Sequence, residues 1–441
     1  MNLNLAMPWD DKCSTDPSLV FYSHQSDTML FEKGQRIEIF CRGNRRSVQM
    51  AWSLHRNGIQ KPFLSGMAEA RLANVYRMVF ETEGLRPGFC DLRVSMDSGM
   101  EKPTPGVCTF GWRVKHMAIR ETRPADFRAF WAKAIAVYAA VPLDLKIEGD
   151  VKTYRGKEID EYNVKSACLP PDYDPAGHKW EEVESYKISF AGPGGGRVYG
   201  WLARPKGKGP FPGMLVLPGG GFTARPRPLE HARHGYVALD VQIHEQDVDQ
   251  PRYETLPGYY DHEVWEPMEK FYFRNVYLRA WRAIDVLCAQ KEVAKTRIVA
   301  VGGSQGGRLS LVVAGLDKRI RAIVPCIPHS SNYPHLQWVT ACNKRNADGA
   351  DLAGAPPEVE TPDGRCMAYY DPMNFAPDIE CPALLNAGLI DPISPPYSVW
   401  AAFNRLGSSD KTIVPLPGLA HDWSAEFDRR AWRWLDERVR E

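Results

Sequence analysis

The residues of this chain that could do chemistry begin with one serine set between glycines. Gly302, Gly303, Ser304, Gln305 and Gly306 satisfy the spacing GxSxG, directly after the apolar, β-branched run 297–301 and before a helical segment. Glycines around a sharp strand-to-helix turn let a serine hydroxyl stand clear of a sheet, beside the amides that open the helix. Taken alone, the same spacing describes a turn serine that merely caps that helix. A serine hydroxyl is a weak nucleophile near neutral pH, so the chemical reading requires a base, and the base requires an orienting carboxylate.

Hydrolases built on a mostly parallel sheet supply these groups in the order Ser, then Asp or Glu, then His, on loops after later strands. Three histidines follow Ser304: His329, His335 and His421. The first two come before any orienting acid, whereas His421, in PGLAHDW, follows the apolar run TIVPLP. Asp391 ends ALLNAGLID, where a strand would deliver a carboxylate to the crevice. By itself Asp391 is a turn aspartate before Pro392; in chain order with the serine and His421 it becomes the candidate acid. An acyl-transfer site also needs fixed donors for the oxyanion. The amide of Gln305 is one candidate. Gly220, in the loop Gly219–Gly221 of LVLPGGGFT, is the other, because missing side chains let that backbone approach a substrate oxygen. Neither GxxxxGK[ST] nor a complete GxGxxG fingerprint is present, so the loop does not read as a phosphate cradle.

Other clusters have plainer readings. His244, Glu245, Asp247 and Asp249 in IHEQDVD lack metal-ligand spacing and read as a solvated loop. His231 and His234 in HARH fit a polar helix face. Tyr259, Tyr260, Trp265, Tyr272 and Phe273 read as core residues that could also line a pocket mouth. No metal and no organic cofactor is expected.

The elements that must position these groups fall into two textures. Residues 18–115 carry short alternating segments such as RIEIFCR, VQMAWSL and VYRMVFE, bounded by turn residues, and predict a small all-β sandwich of immunoglobulin-like type. PADFRAFWAKAIAVYAAVP then places Phe127, Phe130, Trp131, Ile135 and Tyr138 near a helical period. From about residue 185, apolar strands alternate with amphipathic helices, which predicts an α/β fold with a mostly parallel sheet and helices on both faces. We therefore expect a β-sandwich domain over residues 1–118 and an α/β catalytic domain over 119–441. Asn343 to Arg365 is Pro-rich and polar and reads as a loop or small lid.

Bulk properties narrow the partners. The chain has 441 residues, more than one hydrophobic core usually organises, and a formal charge of +1. No basic footprint points to nucleic acid and no polybasic helix to a membrane surface. A small-molecule or oligosaccharide ester is the expected substrate, and a homo-oligomer is compatible with the sequence. Ten cysteines are scattered without a CxxC pair, so buried thiols are expected, with Cys41 and Cys90 the pair that could bridge strands in an oxidising compartment. The start, MNLNLAMPWDD, has no signal-peptide pattern. The chain reads as cytoplasmic as it stands, or as periplasmic or secreted if a leader was removed.

With the residues placed, the second half resembles the acetyl xylan esterase and cephalosporin-C deacetylase family of α/β-hydrolases. YFRNVYLRAWRAIDVL, RIVAVGGSQGG, YYDPMNFAPDIECPALLNAGLIDPISPPYSVWAAFN and PADFRAFW followed by VPLD look like that family's segments in their usual order, from about residue 122 to the C-terminus. The resemblance implies a serine carboxylester hydrolase with Ser304 as nucleophile, Asp391 as acid, His421 as base, and oxyanion amides at Gln305 and Gly220. Three departures stand out. The family places an aromatic residue where Gly220 stands, an Arg-Gly-Gln motif where this chain reads YVALDVQIHEQD, and His-Glu where Asp422 follows His421. The sandwich lies outside the basic family fold. A broader esterase, a thioesterase or a peptidase would use the same groups. A non-catalytic carbohydrate-binding protein would not need them intact.

Overall fold

The computed structural model describes residues 18–43, 49–72, 74–96, 105–166, 177–259, 265, 267–348 and 361–439. Cys13, Cys168, Tyr260 and residues 349–360 of the expected lid lie outside them.

Eight strands make the N-terminal region: Val20–Tyr22 (β1), Leu30–Phe31 (β2), Arg36–Arg42 (β3), Gln49–Arg56 (β4), Leu64–Leu72 (β5), Val75–Glu81 (β6), Gly88–Met96 (β7) and Gly106–Trp112 (β8). They hydrogen-bond in the order β1-β3-β6-β5-β4-β7-β8-β2. β5 pairs with β4 along one stretch and β6 along another, so a single ladder turns a corner and faces itself. Alternation supplies the filling: Ile37, Ile39, Cys41, Tyr76, Met78, Phe80, Leu92, Val94 and Phe110 are all buried. Phe80 of β6 stacks on Phe110 of β8 at 5.9 Å and meets Trp52 of β4 edge-on at 5.3 Å, contacts that only a closed sandwich allows. Cys41 and Cys90 are both buried free thiols.

The second sheet has nine strands: Lys146–Arg155 (β9), Glu182–Ala191 (β10), Arg197–Pro205 (β11), Phe211–Leu217 (β12), Val237–Val241 (β13), Val293–Gly303 (β14), Ile320–Cys326 (β15), Ala383–Gly388 (β16) and Lys411–Leu416 (β17). Their order is β17-β16-β15-β14-β12-β13-β11-β10-β9. Strands β12 to β17 run parallel, and β9 to β11 form an antiparallel extension. Neighbouring residues on one strand feed opposite faces. Met214, Val299 and Leu384 pack with Phe427, Trp434 and Leu435 of the C-terminal helix Ala425–Val439, while Leu215, Ala300 and Leu385 join the larger core containing Leu309, Val312 and Ile284. Helices thus cover both faces, and the strands read as near-continuous apolar runs. β13 and β14 lie on opposite sides of β12, so the strand order reverses there and opens a crevice at the carboxyl ends.

The sandwich is not a loose appendage. Phe89 of β7 meets Trp400 of the helix Pro396–Arg405 edge-on at 5.0 Å. Asn404 of that helix donates to the carbonyl of Val114 at 2.9 Å. Asn343, at the end of the helix Tyr333–Lys344, donates to the carbonyl of Gly58 at 2.9 Å and accepts from the amide of Gln60 at 2.7 Å. β9 and the helix Gly156–Lys165 that follows it are elements the sequence did not announce. β9 is an edge strand, mostly exposed, whose lysines and acids leave little period-two apolar signal.

Candidate active site

The elbow is built by close backbone approach. β14 ends at Gly303 and the helix Gln305–Leu316 begins two residues later, leaving Ser304 at φ 55°, ψ −116°. A non-glycine residue holds such a conformation only when its surroundings over-determine it. Here the Ser304 amide donates to the Cys326 carbonyl at 3.0 Å, and its carbonyl accepts from the amides of Arg308 and His329 at 3.0 and 3.1 Å. A Cβ on Gly302 would lie 2.6 Å from the Leu217 carbonyl oxygen, and one on Gly306 would run into the same carbonyl. The glycines are therefore demanded by β12 passing alongside. Ser304 makes no side-chain capping bond to its helix. Its Oγ instead lies 3.0 Å from His421 Nε2, which disposes of the helix-capping alternative.

His421 follows β17 and Asp391 follows β16, so both groups reach the crevice from the carboxyl ends of strands on the same side of β14. His421 Nδ1 lies 2.8 Å from Asp391 Oδ2. The other carboxylate oxygen accepts from the amides of Ile393 and Ser394, each at 2.8 Å, so the buried Asp391 is held on both sides. With Nδ1 donating to Asp391, Nε2 is free to accept the Ser304 proton. Neither other histidine competes. The ring of His329 turns to Ser330, and that of His335 packs on Tyr397 at 3.8 Å.

The donor side rests on residues whose weight the sequence concealed. Gln305 is fully buried; its side-chain amide donates to the Gly219 carbonyl at 3.2 Å and to His244 Nε2 at 3.3 Å. Since Gln305 Nε2 can only donate, His244 Nε2 must accept, and His244 Nδ1 then carries the proton toward the Tyr272 hydroxyl at 2.7 Å. Burial, reinforced by the cations Arg279 and Arg225, pushes the His244 imidazole down to about 3, which keeps it neutral and able to accept. His244 is thus a buried strut joining the elbow to Tyr272, with its ring 4.6 Å from that of Phe222, and the reading of IHEQDVD as a solvated loop is corrected for this residue. Charged neighbours in sequence disguised a side chain that folding turns inward. Glu245 stays outside and pairs with Arg279.

Gly220 sits at the loop's apex. A Cβ there would come 3.2 Å from the Tyr259 hydroxyl, and that hydroxyl accepts from the Gly221 amide at 2.5 Å. Tyr259, delivered from a different loop, thus closes on the backbone of this glycine loop.

One further set of metal-ligand types exists among the described residues. His178, Glu230 and His234 bring ligand atoms within 4.8 Å of one another. Arg233 donates to His178 Nδ1 at 2.9 Å, which leaves His178 Nε2 protonated and facing Glu230, and Asn163 donates to the other Glu230 oxygen at 2.8 Å. Burial alone would raise the Glu230 carboxyl, but the bonds from His178 and His234 bring it to about 2. The arrangement is a buried ion cluster rather than a cation cage. His234, read in the sequence as part of a polar helix face, is buried with its ring stacked 4.0 Å from Trp432. It precedes β13, at the opposite end of the sheet from Ser304.

A hydroxyl, an imidazole and a carboxylate in series at the crevice of such a sheet define an α/β-hydrolase. Residues 148–438 match the acetyl xylan esterase (AXE1) family, and the chain belongs to that family. It is a carboxylic ester hydrolase. Acetyl esterase Axe7A of Xylanibacter ruminicola is 24% identical over 427 residues, covering 93% of this chain and 88% of that protein. Two solved structures share the fold. An acetyl xylan esterase from Paenibacillus sp. R4 is 24% identical with a TM-score of 0.55, and acetyl xylan esterase 1 from Thermoanaerobacterium sp. JW/SL YS485 is 22% identical with a TM-score of 0.57. Each comparison covers 73% of this chain and 96% of the other, so about a quarter of this chain lies outside each alignment. No helix among the described residues is long and apolar enough to cross a membrane.

Proposed function

We propose that the chain removes acetyl groups from carbohydrate, of the kind borne by acetylated xylan, through an acyl-enzyme on Ser304. The observation that carries this reading is the uncapped Ser304 hydroxyl, aligned on His421 Nε2 with Asp391 behind it. His421 takes the Ser304 proton as Oγ attacks the acetyl carbonyl. The oxyanion is met by the amide of Gln305, the first residue of its helix, and by that of Gly220. Asp391 holds the imidazole in the Nδ1–H tautomer and offsets its charge while it is protonated. His421 returns the proton to the departing sugar hydroxyl. Water, deprotonated in turn by His421, then releases acetate and restores Ser304. The family membership and the acetyl esterases among its relatives support acetate as the acyl group.

The test is Ser304→Ala. Hydrolysis of p-nitrophenyl acetate and acetate release from acetylated xylan should both vanish while the circular dichroism spectrum is unchanged. Residual turnover in a pure sample would overturn the assignment of the nucleophile.

A further inference from the structure

Among the described residues, Trp423 is the only Phe, Tyr or Trp side chain that remains exposed, at 43%. Every other Phe, Tyr and Trp among the described residues is buried or half-buried. Its position is specific, two residues beyond His421, so its Cα lies within about 7 Å of that of the base. Ile393, 40% exposed, stands two residues beyond Asp391. An exposed apolar residue thus follows both the acid and the base at a distance of two positions along the chain.

The backbone under Trp423 is fixed from both sides. Its amide donates to Asp422 Oδ1 at 2.7 Å, and the Asp422 amide donates to the Ala420 carbonyl at 3.0 Å. Ser424 then caps the C-terminal helix, its Oγ accepting from the Phe427 amide at 3.2 Å. A hydrophobic residue just before a helix cap commonly packs on the fifth residue after it. That residue here is Asp428, so no apolar partner awaits the indole within its own helix, and no ring or cation among the described residues covers it.

We propose that Trp423 is a stacking platform for a pyranose ring of the substrate, either the sugar that carries the ester or its immediate neighbour. A sugar presents a face of C–H groups to an aromatic ring while its hydroxyls stay in water, which suits a flat, half-wet indole at the rim of a site. What sets Trp423 apart from the other exposed apolar side chains is that it is aromatic and lies two residues from the base, where a sugar held for the reaction would come close. The inference rests on the carbohydrate ester reading above.

Wild type, Trp423→Ala and Trp423→Phe should be compared on acetylated xylo-oligosaccharide and on ethyl acetate, an acetyl ester with no ring to stack. With Trp423→Ala, KM for the oligosaccharide should rise about tenfold with kcat within about twofold, and ethyl acetate turnover should be unaffected. Trp423→Phe should recover most of the loss. An unchanged oligosaccharide KM in Trp423→Ala would overturn the platform, as would a parallel loss on ethyl acetate, which would mark a structural role. Should wild type hydrolyse ethyl acetate yet release acetate from no carbohydrate, the functional reading itself fails.

Discussion

His421 donates from Nδ1 to Asp391 across 2.8 Å, and the second oxygen of that carboxylate is already taken by two backbone amides. The carboxylate therefore has no freedom to turn, and it dictates which imidazole nitrogen carries the proton.

Asp391→Asn should reverse that choice. The new amide oxygen would keep the bonds from Ile393 and Ser394, so the amide nitrogen would face His421 as a donor. His421 Nδ1 would then have to accept, leaving the proton on Nε2, where it meets Ser304. A fall in kcat of roughly 10³- to 10⁴-fold is expected with the fold retained. Steady-state kinetics on p-nitrophenyl acetate measures it; a loss under tenfold would show that the carboxylate does not set the tautomer.

His244 supports a second expectation. Removing its ring in His244→Ala deletes the second acceptor of the Gln305 side-chain amide, which keeps its bond to the Gly219 carbonyl, so the residue proposed as an oxyanion donor loses part of its anchor. We expect kcat to drop about ten- to a hundredfold, less than loss of a donor itself, with KM little changed. His244→Gln, whose side-chain carbonyl can accept the same bond, should recover part of the activity. Equal defects in both variants would point to lost packing instead.

Acid should destabilise the protein. Burial is the first cause holding His244, His329 and His335 down to about 3, and His55 and His231 to about 4. Between pH 6.5 and about 4 the unfolded chain binds protons at these positions that the folded chain refuses, so stability falls as pH falls, by up to about 1.4 kcal/mol per pH unit for each histidine. Asp371 and Asp428, raised to about 6 chiefly by burial, act in the opposite sense over part of that range. Asp91, Asp240 and Asp436, also raised by burial, act in that same sense, so the expectation rests on the five histidines, which the unfolded chain protonates near 6.5, inside the window measured. Tm measured at pH 5 should lie below that at pH 7.5; equal values would show that the histidines titrate alike in both states.

That Ser304, Asp391 and His421 come together could be read in the sequence because each follows a short apolar run, and the ends of such runs become the rim of a parallel sheet. Gln305 was legible for the same reason, as the first residue after the turn. The inward turn of His244 and of His234, and the bond that Tyr259 makes to the glycine loop, were not. Each residue lies in a locally polar or aromatic stretch, and whether it faces solvent is decided by partners distant in sequence: Gln305 for His244, Trp432 for His234, Gly221 for Tyr259. β9 escaped because an exposed edge strand has no buried face to write an alternating pattern. Trp423 hid in a different way, since a lone tryptophan is ordinarily a core residue and only its surroundings reveal that nothing covers it.

Phe89, Val114 and Trp400 belong to the same continuous interior as Leu309 and Leu385. The β-sandwich and the hydrolase sheet each keep a filling of their own but share this seam, and the helix that follows the Asp391 loop is walled by strands from the other end of the chain. Separating the halves would wet that seam, so loosening the N-terminal strands should loosen the support of the Asp391 loop as well.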